Sequence, residues 1–148
     1  MRILITGGCG YTGTLLTNSL IDLGYEVTVV DTQWFGNYLP YRKNLHIIKL
    51  DIRDHDKIPL EEVDTVVHLA NIADDPSVEL NLELSWEVNV LATQKLIENS
   101  VKNKGITSTF ILFGSLGVTI IIAGALTLTC SSVFSTTSPK HVLPIVST

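Results

Sequence analysis

At 148 residues, with 45% hydrophobic and 17% charged side chains, the chain is long enough for one domain with its own core and too apolar to be disordered. A net charge of -5, with no cluster of Lys and Arg, lacks the basic footprint of a nucleic-acid binder, so no nucleic-acid partner is expected. Cys9 and Cys130 have no neighbouring Cys or His at metal spacing and read as reduced thiols.

Met1 runs into a strand-like segment without a secretory leader, so a cytoplasmic protein is expected. Arg2 to Thr6 reads as a short buried strand ending in the loop TGGCGYTG, residues 6–13. Thr12 to Leu23 follows as a helix, with Leu15, Leu16, Leu20 and Leu23 at helical spacing and Gly24 as its stop. Glu26 to Asp31, EVTVVD, is β-branched and mostly apolar, as a central parallel strand is, and closes a βαβ unit of about 30 residues. Leu45 to Leu50 and Thr65 to Ala70 read as two further strands, separated by a polar stretch able to hold a short helix. Asn81 to Asn103 reads as a long helix with Leu84, Val88, Leu91, Leu96 and Val101 near the 3.6 period, and Phe110 to Phe113 as a fifth strand. Strands alternating with helices predict an α/β fold with a doubly wound parallel sheet, whose ligand sits at the carboxyl ends of the strands where their order reverses.

The glycine loop lies at that edge. Gly7, Gly10 and Gly13, three residues apart, form a variant of the dinucleotide fingerprint: a tight turn, a close backbone approach to a pyrophosphate, and a helix start whose N–H groups face the anion. Tyr11 and Thr12 belong to that helix start. Asp31 follows Gly13 by eighteen residues, at a strand end, where a carboxylate accepts the hydroxyls of an adenosine ribose and repels a 2′-phosphate. NAD is therefore expected in preference to NADP. A strand-end Asp capping a turn is the plainer alternative.

ILITGGCGYTG, VTVVD, LDIRD, VVHLANIADDPS and WEVNVLATQKLIE, taken in order and spacing over residues 1 to about 113, resemble the NAD-dependent epimerase and dehydratase family, the extended short-chain dehydrogenases that act on sugar nucleotides. The resemblance implies a Rossmann-type sheet, NAD as cofactor and a nucleotide sugar as substrate. It also implies that Asp51 and Ile52 hold the adenine, with the carboxylate taking the exocyclic amine. Leu69, Ala70 and Asn71 pass the pyrophosphate and nicotinamide ribose, with Asn71 in place of the family's usual Ala. Asn89 resembles the helix Asn that braces the central strands, and the long helix is the element through which the family forms homodimers. His68 matches a His that packs beside the cofactor loop. The acidic group Asp51, Asp54, Asp56, Glu61, Glu62 and Asp64 reads as a solvated face, and no metal site is expected.

The family's chemistry needs a Tyr as general base and a Lys four residues on to lower its pKa. All four tyrosines, Tyr11, Tyr25, Tyr38 and Tyr41, precede the third strand, and no Tyr-x-x-x-Lys occurs. Ser115, in FILFGSLGVTI, falls in register with the family's substrate-holding Ser or Thr and is the one catalytic candidate, with Thr119 where the Tyr would stand. The expected function is thus the NAD-binding portion of a sugar-nucleotide epimerase or dehydratase, without turnover of its own; a noncatalytic scaffold subunit is the alternative.

Charge disappears with the motif. Residues 1–104 carry nine Lys or Arg and fifteen Asp or Glu, whereas 105–148 carry only Lys140. Residues 1–113 are therefore expected to form the NAD-binding domain, with a sheet incomplete at its C-terminal end, and 114–148 a divergent apolar tail. That tail reads as the product of truncation or a frame disruption, as nonstandard strands completing the sheet, or as a membrane anchor, because Phe110 to Thr129 is uncharged and about 30 Å long if helical.

Overall fold

A computed structural model describes residues 1–72 and 81–102 in full, and the backbone alone of 109–114, 117–122 and 127–129. Strand β1 (Arg2–Thr6) leads through the glycine loop into helix α1 (Tyr11–Asp22), followed by β2 (Glu26–Asp31), β3 (Leu45–Lys49), a single 3-10 turn (His55–Lys57) and β4 (Thr65–His68). Three consecutive helical pieces come next: α2 (Leu82–Trp86), a π-helical stretch (Glu87–Ala92) and α3 (Thr93–Lys102). Strands β5 (Thr109–Gly114), β6 (Gly117–Ile122) and β7 (Thr127–Thr129) complete the described elements.

The strands form one sheet in the order β3-β2-β1-β4-β5-β6-β7. Pairing is parallel from β3 through β5, so the first five strands make the doubly wound order 3-2-1-4-5. Alternation along the strands feeds two cores. Leu4, Val30 and Val66 face one side with Val88, Ala92 and Leu96 of the long helical segment, while Ile3, Ile5, Val27, Val29 and Val67 face the other with Ile21 of α1. Strand β1 has parallel neighbours on both sides and both faces covered, so Ile3, Leu4 and Ile5 are all buried.

Helix α1 buries Gly13, Thr17 and Ile21, with Leu16 and Leu20 partly buried, whereas Leu15 and Leu23 point to solvent. Its phase is set by the close packing of Gly13, not by the leucines. The helix ends in a Schellman motif: Gly24 at φ +85° donates its N–H to Ile21 O, and Tyr25 N–H donates to Leu20 O. In the long helical segment Val88, Ala92, Leu96 and Ser100 are buried at four-residue intervals. The wider π turn shifts the phase, and Leu91 and Val101, which lie near the 3.6 period, are exposed.

Among residues 110–129, the described ones form strands rather than the helix that a membrane anchor requires. Their described backbone pairs as strands, β5 with β6 and β6 with β7, both antiparallel. The runs FILF, GVTIII and TLT are β-branched and aromatic, and Gly114 and Gly117 pair at the first hairpin. No helix among the described residues is long and apolar enough to cross a membrane. Parallel pairing thus runs to β5, and antiparallel strands follow it.

Candidate functional site

Strand order reverses between β1 and β4: from β1 the chain builds outward to β2 and β3 on one side, and to β4 and β5 on the other. At such a switch point a doubly wound sheet places its ligand crevice, at the carboxyl ends of β1 and β4. Main-chain bonds secure its floor. Gly7 N–H donates to Val30 O at 2.8 Å, and Leu69 N–H donates to Thr6 O at 2.9 Å.

Each glycine of the loop has its own reason. Gly7 adopts φ +73°, and a Cβ there would meet Ala70 N at 2.6 Å and Leu69 C at 2.8 Å. At Gly13 a Cβ would stand 2.3 Å from Gly7 O and 2.6 Å from Gly8 Cα, so helix and loop touch backbone to backbone. Gly8, which the fingerprint spacing passes over, faces Val29, with Cγ1 2.6 Å from a built Cβ. Gly10 differs. Among the described residues, a Cβ there meets only Gly7 O within 4 Å, at 3.3 Å. Protein packing accounts for three of the glycines; the fourth keeps open space in front of the helix start.

That helix start is electrostatically bare. Gly10 caps α1 without a side-chain bond, and no acidic residue lies in the first turn. The N–H groups of the opening turn, which includes Tyr11, Thr12 and Gly13, have no intrahelical acceptor and carry the positive end of the helix dipole. Tyr11 and Thr12 are both exposed. A pyrophosphate fits such a cradle.

Asp31 ends β2 beside it. Its Oδ2 accepts the N–H of Cys9 at 2.9 Å and its Oδ1 that of Gln33 at 2.6 Å, so the carboxylate is aimed at the glycine loop. The Cys9 thiol is buried, and burial followed by the Asp31 charge pushes its pKa up to about 11. It is therefore a packing group rather than a nucleophile.

Asp51 follows β3 and is clasped by Arg53, whose Nη2 lies 2.8 Å from Oδ2. The Arg53 side-chain bond is the main cause holding the Asp51 pKa below its ordinary value. Ile52 is buried in the core, which leaves its backbone as the part able to face a ligand. On the opposite wall Leu69 and Ala70 are half-buried against Gly7, and Asn71 is exposed. Asn89, from the π-helical stretch, clamps the same segment: Oδ1 accepts Ile72 N–H at 2.8 Å and Nδ2 donates to Ile72 O at 2.9 Å.

His68 is buried, with Nδ1 2.6 Å from Thr6 Oγ1 and Nε2 2.8 Å from Thr93 Oγ1. Burial lowers its pKa to about 4, so the ring is neutral and ties β1 and β4 to α3. The acidic stretch is largely paired rather than merely solvated: Asp54 with Lys57, Asp56 with His55, Glu62 with Arg2, and Asp64 with the Arg2 N–H. Among the described residues no group of three His, Cys, Asp or Glu side chains is placed to hold a metal ion. Ser115 lies outside the described residues, as do Cys130 and Lys140. The fingerprint alone did not single out Gly8, nor the polar pattern Arg53. In the sequence both were visible only as neighbours of residues already chosen.

The profile of the NAD dependent epimerase/dehydratase family matches residues 3–120. UDP-glucuronic acid decarboxylase 1 of Danio rerio is 36% identical over 98 residues, which cover 65% of this chain and 23% of that protein. Among solved structures, the UDP-glucose 4-epimerase of Thermotoga maritima with UDP-glucose superposes with a TM-score of 0.66 at 29% identity, covering 74% of this chain and 37% of that one. The Thermus thermophilus UDP-glucose 4-epimerase in complex with NAD gives 0.59 at 28%, covering 70% and 35%. The chain thus spans between about a quarter and about two fifths of the length of these proteins.

Proposed function

The chain belongs to the NAD-dependent epimerase/dehydratase family, and on that premise we propose that these 148 residues are its cofactor-holding part, binding NAD without turning over a sugar. The observation that carries the reading is the open space at Gly10, in front of an uncapped helix start with Asp31 aimed at the same loop. Gly7, Gly10 and Gly13 admit the pyrophosphate to the backbone of Tyr11 and Thr12. Asp31 takes the adenosine ribose hydroxyls, and its charge excludes the extra phosphate of NADP. Asp51 and the Ile52 backbone take the adenine. Leu69, Ala70 and Asn71 line the nicotinamide side, with Asn89 fixing that segment through Ile72.

NAD, when bound, is the carrier that accepts a hydride from a sugar carbon and returns it. For that transfer the family uses a Tyr-x-x-x-Lys pair, which this sequence does not contain, and Ser115 would supply at most a hydroxyl to a nucleotide sugar. Titration calorimetry and thermal melts test the proposal. NAD binds and raises the Tm, NADP binds at least about tenfold more weakly because of the like charge at Asp31, and UDP-glucose with NAD shows no turnover. No heat and no Tm change at millimolar NAD would refute it.

A second reading, a noncatalytic subunit that pairs through the long helical segment, is favoured by the exposure of Leu82, Trp86, Leu91 and Val101 along it. Sedimentation of the chain as a dimer, reduced to monomer by Trp86→Glu, supports it, and a wild-type monomer excludes it.

A further inference from the structure

Arg53 stands between two carboxylates from different parts of the chain. Its backbone N–H and Nε reach Asp51 Oδ1 at 2.9 and 3.1 Å, and Nε and Nη2 reach Oδ2 at 3.1 and 2.8 Å. Its remaining nitrogen, Nη1, donates to Glu87 Oε2 at 3.0 Å. Asp51 lies in the loop after β3, while Glu87 opens the π-helical stretch 34 residues on from Arg53.

Stability does not explain this bridge. The side chains of Arg53 and Glu87 are each 43% exposed, and ion pairs at such exposure contribute little. Orientation does. A guanidinium gripped from one side only would swivel with its neighbour; gripped by Glu87 as well, it fixes the Asp51 carboxylate relative to the helix. These four contacts come from three N–H groups, the Nε–H being shared between the two oxygens, and three N–H groups on a carboxylate with about four acceptor sites leave about one direction for a further N–H. The same π-helical stretch supplies Asn89, whose amide fixes the Ile72 backbone. One six-residue stretch therefore anchors the loops after both β3 and β4.

Resting on the reading that Asp51 takes the adenine end of NAD, we propose that Glu87 and Arg53 are positioning residues for adenine recognition: Glu87 pins Arg53, and Arg53 leaves one acceptor direction of Asp51 open to the exocyclic amine.

The test compares NAD with deamino-NAD, in which a carbonyl oxygen replaces that amine. Wild type prefers NAD by about tenfold, as expected for loss of a hydrogen bond to a charged acceptor. Glu87→Gln lowers the preference to about threefold or less and Arg53→Met abolishes it, while Glu87→Gln leaves the Tm of the free protein unchanged. Lys95→Ala, on the same helical segment but paired with Glu98, keeps the full preference. Variants that retain the wild-type preference would overturn the inference, as would a wild type that binds both dinucleotides equally. A Glu87→Gln protein that loses both ligands in parallel with its Tm would also overturn it, since the role would then be structural. If wild type binds NAD and only the preference fails, the positioning role falls and NAD binding stands; if wild type binds neither, the proposed function falls with it.

Discussion

One methyl group, added at either of two glycines, should separate folding from binding. In Gly13→Ala the new Cβ would lie 2.3 Å from Gly7 O and 2.6 to 2.8 Å from Gly8 backbone atoms, none of which is the flexible end of a side chain. Overpacking of this kind costs about 3 kcal/mol at the upper end of its usual range. The better helix propensity of Ala returns about 1 kcal/mol. The net loss of about 2 kcal/mol corresponds to a fall in Tm of roughly 6 to 8 °C for a chain of this size. In Gly10→Ala the Cβ meets a single carbonyl oxygen at 3.3 Å, and φ at that residue is -71°, which any residue adopts. The loss there stays below about 1 kcal/mol, the usual cost of replacing a Gly helix cap by Ala. Its methyl, however, stands where the pyrophosphate must approach, and NAD affinity should fall by about tenfold or more. Urea unfolding and NAD calorimetry on the two variants decide the matter. Equal stability losses, or a Gly10→Ala protein that binds NAD as wild type does, would refute the division of labour within the loop.

Two further outcomes follow from buried polar groups. The pKa of His68 is lowered to about 4 by burial, against about 6.5 in the unfolded chain. Between those values the unfolded chain binds more protons, so this contribution to stability is complete above about pH 6.5 and is lost as pH falls towards 4. Urea unfolding across that window should show the decline in wild type and a flatter profile in His68→Gln; an equal slope in both would refute it. Thr17 Oγ1 is buried and has no partner among the described residues. Thr17→Val should therefore stabilise by about 1 kcal/mol, read as a rise in Tm, and a fall would show that the hydroxyl is bonded after all.

Strand positions were legible because Ile3-Leu4-Ile5 and Val27, Val29 and Val30 put apolar side chains on both faces, which a covered central strand requires. Helix phase was less legible. Four leucines mark α1, yet Leu15 and Leu23 face solvent while Thr17 and Ile21 go inside, because the backbone contact at Gly13 outranks side-chain hydrophobicity. A π turn likewise leaves no mark in a 3.6-residue pattern, and Leu91 and Val101, which fit that pattern, are exposed. At the site, residue types and spacing pointed to Asp31, but its grip on the Cys9 N–H did not show, since a bond to main chain has no residue signature. Arg53 read as one charge among many for the same reason: its second partner is 34 residues away.

The floor of the crevice is made of peptide groups, from the Gly7–Val30 and Leu69–Thr6 bonds to the bare opening turn of α1. Away from the loop glycines, a surface of that kind is little changed by point mutation, because every amino acid except proline brings the same amide. Drift in the surrounding side chains can therefore erase a reaction while the capacity to grasp a diphosphate persists. Evolutionary change of cofactor is funnelled instead through the few positions, Asp31 foremost, where a side chain rather than the main chain makes the distinction.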